Sequence, residues 1–321
     1  MAKYYFLPRE LAKRWPWLNR IGWRLEAWLI GALIGVFRML PLERATRLAH
    51  WLFATFGTRS GKRMRVMRNL QVAFPEASAE EHKRLAHDIF GHVGVALAEI
   101  AQIGRIWAER ERRLEFVIAP EVQFLRDRDR PAVFVTAHIG PWTLTNFLAT
   151  LCGFRLTTVY APESNPYVHD IMLRLRRDLQ IELLARDNSM RVLMKELAGG
   201  AAIGLASDVR LDGGEMVPIF GHEMATNTVP ARLALRFNCE LLPARAERLP
   251  GGRFRITLYA PVRPDDPTAP PAVQAVNMAA KLNVHFEQWI REAPGEWLCL
   301  ARRWPKEVER AAQQRARQRA S

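Results

Sequence analysis

Val133-Phe-Val-Thr-Ala-His-Ile-Gly-Pro-Trp-Thr143 and, further along, Ala201-Ala-Ile-Gly-Leu-Ala-Ser-Asp208 are the two stretches on which the fold is read. Each begins as a short apolar run and then gives way to polar or turn-forming residues. Short apolar runs of that kind, the first with β-branched residues, predict strands. Between them, Leu156-Thr-Thr-Val-Tyr160 predicts another strand, residues 168–179 a helix, and Asn188 or Ser189 the cap of a helix that ends at Gly199-Gly200. Beyond them, Pro230 to Asn238 reads as a helix and Glu240-Leu-Leu-Pro-Ala244 as the start of a strand. Pro250-Gly-Gly252 then turns the chain into Arg253–Tyr259, and a helix follows over about 271–293. Strand alternating with helix from 131 to 245 predicts an α/β fold with a mixed, mostly parallel sheet flanked by helices.

The first third reads differently. Leu42 to Phe56 is helical and ends near Gly57, and Ser78-Ala-Glu-Glu81 has the spacing of a capping box. The helix it opens carries an apolar stripe at Leu85, Ile89, Val93, Leu97 and Ile100. Ahead of these, Ala27–Phe37 is an uncharged run bounded by Glu26 and Arg38. It is too deep in the chain for a cleaved leader and shorter than the roughly 20 residues that cross a bilayer core. Lys3, Arg9, Lys13, Arg14, Trp15, Trp17, Arg20, Trp23 and Arg24 crowd its approach, the amphipathic residue types of a membrane interface. Residues 1–40 are therefore expected to be a membrane anchor, lying on the surface or spanning at a tilt, with a core helix of a soluble protein as the competing reading. Residues 41–305 would form the main domain and 306–321 a basic tail.

With 49% hydrophobic and 25% charged residues over 321 positions, the chain is composed to bury a core and not to remain disordered. Its net charge of +14 suits an anionic partner: nucleic acid, lipid headgroups or an acidic protein. Nucleic acid is disfavoured, because no binding module is recognisable and the tryptophans cluster with an apolar run. The basic clusters Arg59–Arg68 and 302–319 are either solvated faces or contacts for anionic lipid or an acidic carrier protein. The three cysteines, Cys152, Cys239 and Cys299, are dispersed, so neither a disulfide framework nor a metal site is expected.

His138 and Asp208 stand out by position. Each follows a predicted strand of an α/β sheet, the edge where ligands bind. If the two strands are neighbours, an imidazole and a carboxylate reach one crevice from separate loops. Neither a Gly-x-Ser-x-Gly elbow nor a Gly-x-Gly-x-x-Gly turn follows a strand, which argues against a serine hydrolase and a dinucleotide enzyme. No cofactor is expected.

The stretch 136–146, Thr-Ala-His-Ile-Gly-Pro-Trp-Thr-Leu-Thr-Asn, resembles the core motif of the lysophospholipid acyltransferase superfamily, in its lipid A (late) acyltransferase branch. That motif is His, four residues, then Asp or Glu, with Gly140 and Trp142 standing where the family places such residues. Further resemblances follow in the family's order: Arg68-Asn-Leu-Gln-Val-Ala-Phe-Pro75, Asn165-Pro166, Ser207-Asp208 with Val217-Pro-Ile-Phe-Gly221 and Ala225-Thr226, and Glu296-Trp297 with Arg302-Arg303-Trp304. Ala301 replaces a usual histidine. The resemblance covers roughly residues 20–305.

It implies transfer of a fatty acyl chain from an acyl thioester, on acyl carrier protein or coenzyme A, to a lipid A precursor or similar glycolipid, at the cytoplasmic face of a bacterial inner membrane. His138 would be the base. Trp142, Thr143, Asn146, Glu163, Arg186 and Arg210 would serve the substrates, with Arg186, Arg210 or backbone N–H groups around Gly140 as donors to the oxyanion. One position departs: Thr143 stands where the motif acid belongs. Three readings stay open. Asp208 orients His138 instead, with Glu163 as a weaker substitute; or Thr143 impairs turnover, leaving a lipid-binding relative on the same fold; or the acceptor is unusual.

Overall fold

The computed structural model describes residues 14–122, 131–187 and 189–319; Lys3, Arg9, Lys13 and Asn188 lie outside them. The strands are β1 (Leu114–Ile118), β2 (Ala132–Thr136), β3 (Leu156–Tyr160), β4 (Glu182–Ala185), β5 (Ala202–Ala206), β6 (Glu215–Ile219), β7 (His222–Thr226), β8 (Glu240–Leu249) and β9 (Arg253–Leu258). Seven of them make one sheet in the order β1-β9-β8-β2-β5-β3-β4, and β6 and β7 form a separate hairpin. From β8 to β4 every pairing is parallel. β9 returns antiparallel to β8, and β1 lies parallel to β9. The mixed, mostly parallel sheet expected from the sequence is the one observed.

Helices cover both faces: α1 (Pro16–Met39), α2 (Leu42–Gly57), α3 (Arg63–Ala73), α4 (Ala79–Ala101), α5 (Ile103–Ala108), α6 (Arg110–Arg113), α7 (Phe147–Cys152), α8 (Pro166–Arg176), α9 (Ser189–Ala198), α10 (Val229–Arg236), α11 (Pro271–Glu292) and α12 (Lys306–Gln318). Side chains on a strand alternate between faces. On β2, Val133 and Val135 enter one core with Leu70, Ile89, Leu193 and Trp289. Ala132 and Phe134 enter the opposite core with Ile103, Leu144 and Phe147. Burial on both sides is why this strand reads as an unbroken apolar run. The β8–β9 hairpin closes on Gly251 and Gly252, both with positive φ (+76° and +64°), a backbone that glycine adopts without strain.

The amino-terminal helices build a third cluster, in which Ala27, Ile34 and Phe37 of α1 meet Ala45 and Ala49 of α2, Ala98 of α4 and Val168 and Met172 of α8. α4 begins with the expected capping box: the Ser78 hydroxyl accepts from the Glu81 N–H at 3.1 Å, and the Glu81 carboxylate from the Ser78 N–H at 2.9 Å. A Cβ on Gly94 would collide with the Ala49 carbonyl oxygen and the Phe53 ring, so glycine there permits the close approach of α2 and α4.

The opposite face of α1 exposes Trp17, Ile21, Leu25, Trp28, Leu29 and Val36, with Trp28 69% exposed. No helix among the described residues is long and apolar enough to cross a membrane. Among the described residues α1 is a packed, two-faced helix, because part of its apolar surface is set against α2, α4 and α8. The basic tail is also structured: α12 packs on the domain through buried Ala312, and Arg302 pairs with its Glu309 at 3.0 Å.

The segment leading into α12 is tied down by Asn69 of α3, which is fully buried. Its amide donates to the carbonyls of Cys299 and Ala301, both at 2.8 Å, and its oxygen accepts from the Arg303 N–H at 3.3 Å. Asn69→Ala leaves those buried backbone groups unpaired and is expected to lower unfolding free energy by about 2–3 kcal/mol in a denaturant titration. Faster trypsin cleavage after Arg302 and Arg303 should accompany it.

Candidate active site

β2 and β5 are neighbours with Thr136 opposite Ala206. Two residues beyond each of these partners stand His138 and Asp208. Parallel register thus releases both side chains from the sheet at the same height, and the Ser207 N–H still bonds to the Thr136 carbonyl at 3.1 Å. Ala137 and Ile139 are buried on either side of the histidine. The segment after α11 completes the frame: the Leu298 N–H bonds to the His138 carbonyl at 2.8 Å, and the Gly140 N–H to that of Glu296 at 3.2 Å.

His138 Nδ1 lies 2.6 Å from Asp208 Oδ1. The carboxylate is 4% exposed, while the imidazole keeps 32% of its surface open. Burial alone would raise the Asp208 pKa, but the facing imidazole, its hydrogen bond and the charge of Arg303 outweigh that and hold the group down at about 2. Burial likewise pulls His138 down, and the charge and hydrogen bond of Asp208 overcome it, so the imidazole sits above its usual range. An ionised carboxylate only accepts hydrogen bonds. Nδ1 therefore carries the proton, and Nε2 is the basic nitrogen of the neutral ring.

The other residues expected at the site divide. The Trp142 ring lies 5.5 Å from the His138 ring, centroid to centroid. Thr143 sits in the 3-10 turn Trp142–Asn146, where its carbonyl accepts from Asn146 at 2.9 Å; no hydrogen bond joins its hydroxyl to His138 among the described residues. Asn146 is also engaged by the Thr158 hydroxyl at 3.0 Å, which ties the turn to β3. Glu163 is held by His169 and Arg176, each at 2.9 Å, and forms its own cluster past β3 instead of reaching His138. Arg186 is exposed beyond β4. Arg210 is paired with Asp212 at 2.8 Å and donates to the Trp304 carbonyl at 3.3 Å. The backbone N–H groups flanking the glycine are engaged as well, Gly140 with Glu296 and Ile139 with Ala137. The donors expected for an oxyanion are thus largely occupied.

Arg303 was legible only as part of a terminal signature. It is 4% exposed, and none of its three guanidinium nitrogens has a hydrogen-bond partner among the described residues. Burial lowers its pKa, but a guanidinium keeps its charge in any protein interior. That charge is felt at both His138 and Asp208. Nothing in residue spacing announces this, because Arg303 arrives from 165 positions away through the pairing of Leu298 with His138.

The dispersed motifs meet around the same centre. Phe74 packs on Phe220 at 5.8 Å, and Phe220, in a left-handed backbone conformation (φ +52°), stacks on Trp297 and meets Trp304 edge-on. Among the described residues no group of His, Cys, Asp and Glu is arranged to hold a metal ion. Buried Cys299 has its thiol pushed up to about 12 by desolvation, which makes it inert.

Residues 17–306 match the family model for bacterial lipid A biosynthesis acyltransferases. The chain is 26% identical over 260 residues to a lipid A biosynthesis lauroyltransferase of Escherichia coli (strain K12), a match covering 76% of this chain and 79% of that protein. It is 25% identical over 245 residues to a palmitoleoyltransferase of lipid A biosynthesis from the same organism, covering 74% and 76%, and 23% identical over 178 residues to a myristoyltransferase, covering 54% of each. Fold, ordered motifs and family match agree: this chain belongs to the bacterial lipid A biosynthesis acyltransferase family.

Proposed function

We propose that the chain transfers a fatty acyl group from an acyl thioester, carried by acyl carrier protein or coenzyme A, to a hydroxyl of a lipid A precursor or similar glycolipid. The observation that carries this reading is the 2.6 Å bond between His138 and a carboxylate held ionised, at the ligand-binding edge of the sheet. His138 Nε2 takes the proton of the acceptor hydroxyl as its oxygen attacks the thioester carbonyl carbon. Asp208 fixes the ring and stabilises the imidazolium, the part that a motif acid at position 143 would otherwise play. When the intermediate collapses, the C–S bond breaks and the imidazolium returns its proton to the leaving sulfur.

The reading extends to location. α1 presents Trp17, Leu25, Trp28 and Leu29 outward beside Arg20 and Arg24, and Trp51 and Phe56 are exposed on α2. Apolar bodies next to arginines suit a helix lying in the interface of an anionic membrane, which accords with the cytoplasmic face of the bacterial inner membrane and its lipid acceptor. Exposed Arg186, at the same sheet edge as His138, suits a phosphorylated headgroup.

Transfer of labelled acyl chains from acyl carrier protein to lipid acceptors tests the proposal. His138→Ala is expected to reduce turnover by about 10²–10⁴-fold; activity surviving in that variant would sink the mechanism. Because His138 must be neutral to act and its pKa is raised, the acid limb of kcat/KM should lie above the usual imidazole value of about 6.5. In Asp208→Asn, burial and the Arg303 charge go unopposed, so the limb should move to lower pH while the plateau falls. Thr143→Glu should leave kcat within about two-fold, since Nδ1 already has its partner; a large gain would instead favour an impaired relative whose missing acid limits it.

A further inference from the structure

Resting on that reading, we propose that Arg303 supplies the positive charge for the oxyanion: its buried guanidinium stabilises, through a dry and short path, the negative charge that develops on the acyl carbonyl oxygen when the acceptor attacks.

The observation behind this is an arginine treated unlike its buried counterparts. Among the described residues the buried arginines are Arg113, Arg245 and Arg303. Arg113 is bonded to Glu109, to Glu43 and to the Gly252 carbonyl. Arg245 pairs with Glu292 and Glu247. The largely buried Arg248 is likewise held by Glu99 at 2.7 and 2.8 Å. Arg303 alone of this group has Nε and both Nη atoms buried and unbonded. A charge with five donors and no acceptor is costly to bury, and the backbone leaves it no easy retreat. Its own N–H is bound by Asn69, the next residue Trp304 is fully buried, and the Trp304 carbonyl is bonded to Arg210, two positions past Asp208. The loop after β5 and the strand edge at His138 therefore hold the backbone on either side of Arg303, and its charge acts on both Asp208 and His138.

Acyl transfer supplies a further negative charge for this cation only in passing. As the acceptor oxygen forms its bond to the carbonyl carbon, the C=O π pair moves onto oxygen and the hydroxyl proton goes to His138 Nε2. On collapse that pair re-forms the carbonyl, the C–S bond breaks, and the leaving sulfur takes the proton. A fixed cation in a dry site stabilises the oxyanion more than the neutral thioester, which is the condition for raising kcat. The competing donors are engaged elsewhere or exposed: the Gly140 and Ile139 N–H groups, Arg210 and Arg186.

Arg303→Met and Arg303→Lys, compared with the wild-type chain and His138→Ala, test the idea by thermal melting and by kcat and KM as functions of pH. Since the guanidinium has no hydrogen bond to lose and gives up only its attraction to Asp208, Arg303→Met should melt within a few degrees of the wild-type temperature. Its kcat on the alkaline plateau should fall about 100- to 1,000-fold with donor and acceptor KM within a few-fold, and Arg303→Lys should recover part of the loss. Full recovery of kcat at higher pH would mean that Arg303 acts only by lowering the His138 pKa, and would overturn the proposal. So would a rise in KM with kcat unchanged, the signature of a ground-state phosphate contact, or unfolding of both variants. Wild-type activity that depends on His138 but not on Arg303 would leave the acyltransferase reading standing; absence of His138-dependent turnover in the wild type would overturn both.

Discussion

The parallel pairing of β2 with β5 places Thr136 beside Ala206, and the active centre follows from that register. Two strands that run the same way and end together release their next residues at the same height, so a histidine and an aspartate 70 positions apart come to 2.6 Å. A slip of either strand by one residue would turn its own side chain to the other face and part the pair. The alternation of Val133 and Val135 into one core and Ala132 and Phe134 into the other prevents such a slip, because each face of β2 is committed to different helices. The hydrophobic core and the catalytic geometry therefore have a common cause.

Around that pair the molecule handles buried charge in two ways. Asp208 is buried but matched by an imidazole, and Glu99 is buried but forked by Arg248. These are closed pairs, satisfied within the fold. Arg303 is buried and open. Asn69 supports that exception, holding the backbone of residues 299–303 by three hydrogen bonds while the side chain beyond them stays unbonded. The amino-terminal and terminal signatures, remote in the chain, are thus mechanical partners: one clamps the segment that the other uses. Under the proposed mechanism Thr143 in place of the motif acid is tolerable, because the Nδ1 side of His138 is filled from the loop after β5 instead of from the turn that follows β2.

Much of the sheet could be read from the chain. β2 and β5 are short, largely buried apolar runs, β3 is a β-branched stretch buried at its start, and the Ser78–Glu81 capping box and the paired glycines before β9 are local devices whose chemistry is visible in a few residues. β1 and β4 escaped because both lie at the edges of the sheet, where one neighbour is missing and half-exposed residues such as Glu115 and Glu182 are admitted. β6 contains Pro218, which a two-stranded hairpin accommodates and a central strand would not.

For the site, the amino-acid sequence by itself determined the candidates: a histidine and an aspartate, each placed just after a strand, and an ordered set of motifs around them. It also announced the vacant acid position at Thr143. The tertiary structure decided which carboxylate serves the histidine. Asp208 and the weaker candidate Glu163 were both visible in the chain, and strand order β2-β5-β3 puts the first next to His138 and hands the second to His169 and Arg176. It likewise decided which buried arginine among the described residues is left without a hydrogen bond from its side chain, because hydrogen-bond satisfaction is a property of neighbours in space. Local pattern reports the burial and periodicity of an element; the pairing of one element's end with another's is set by packing across the whole core.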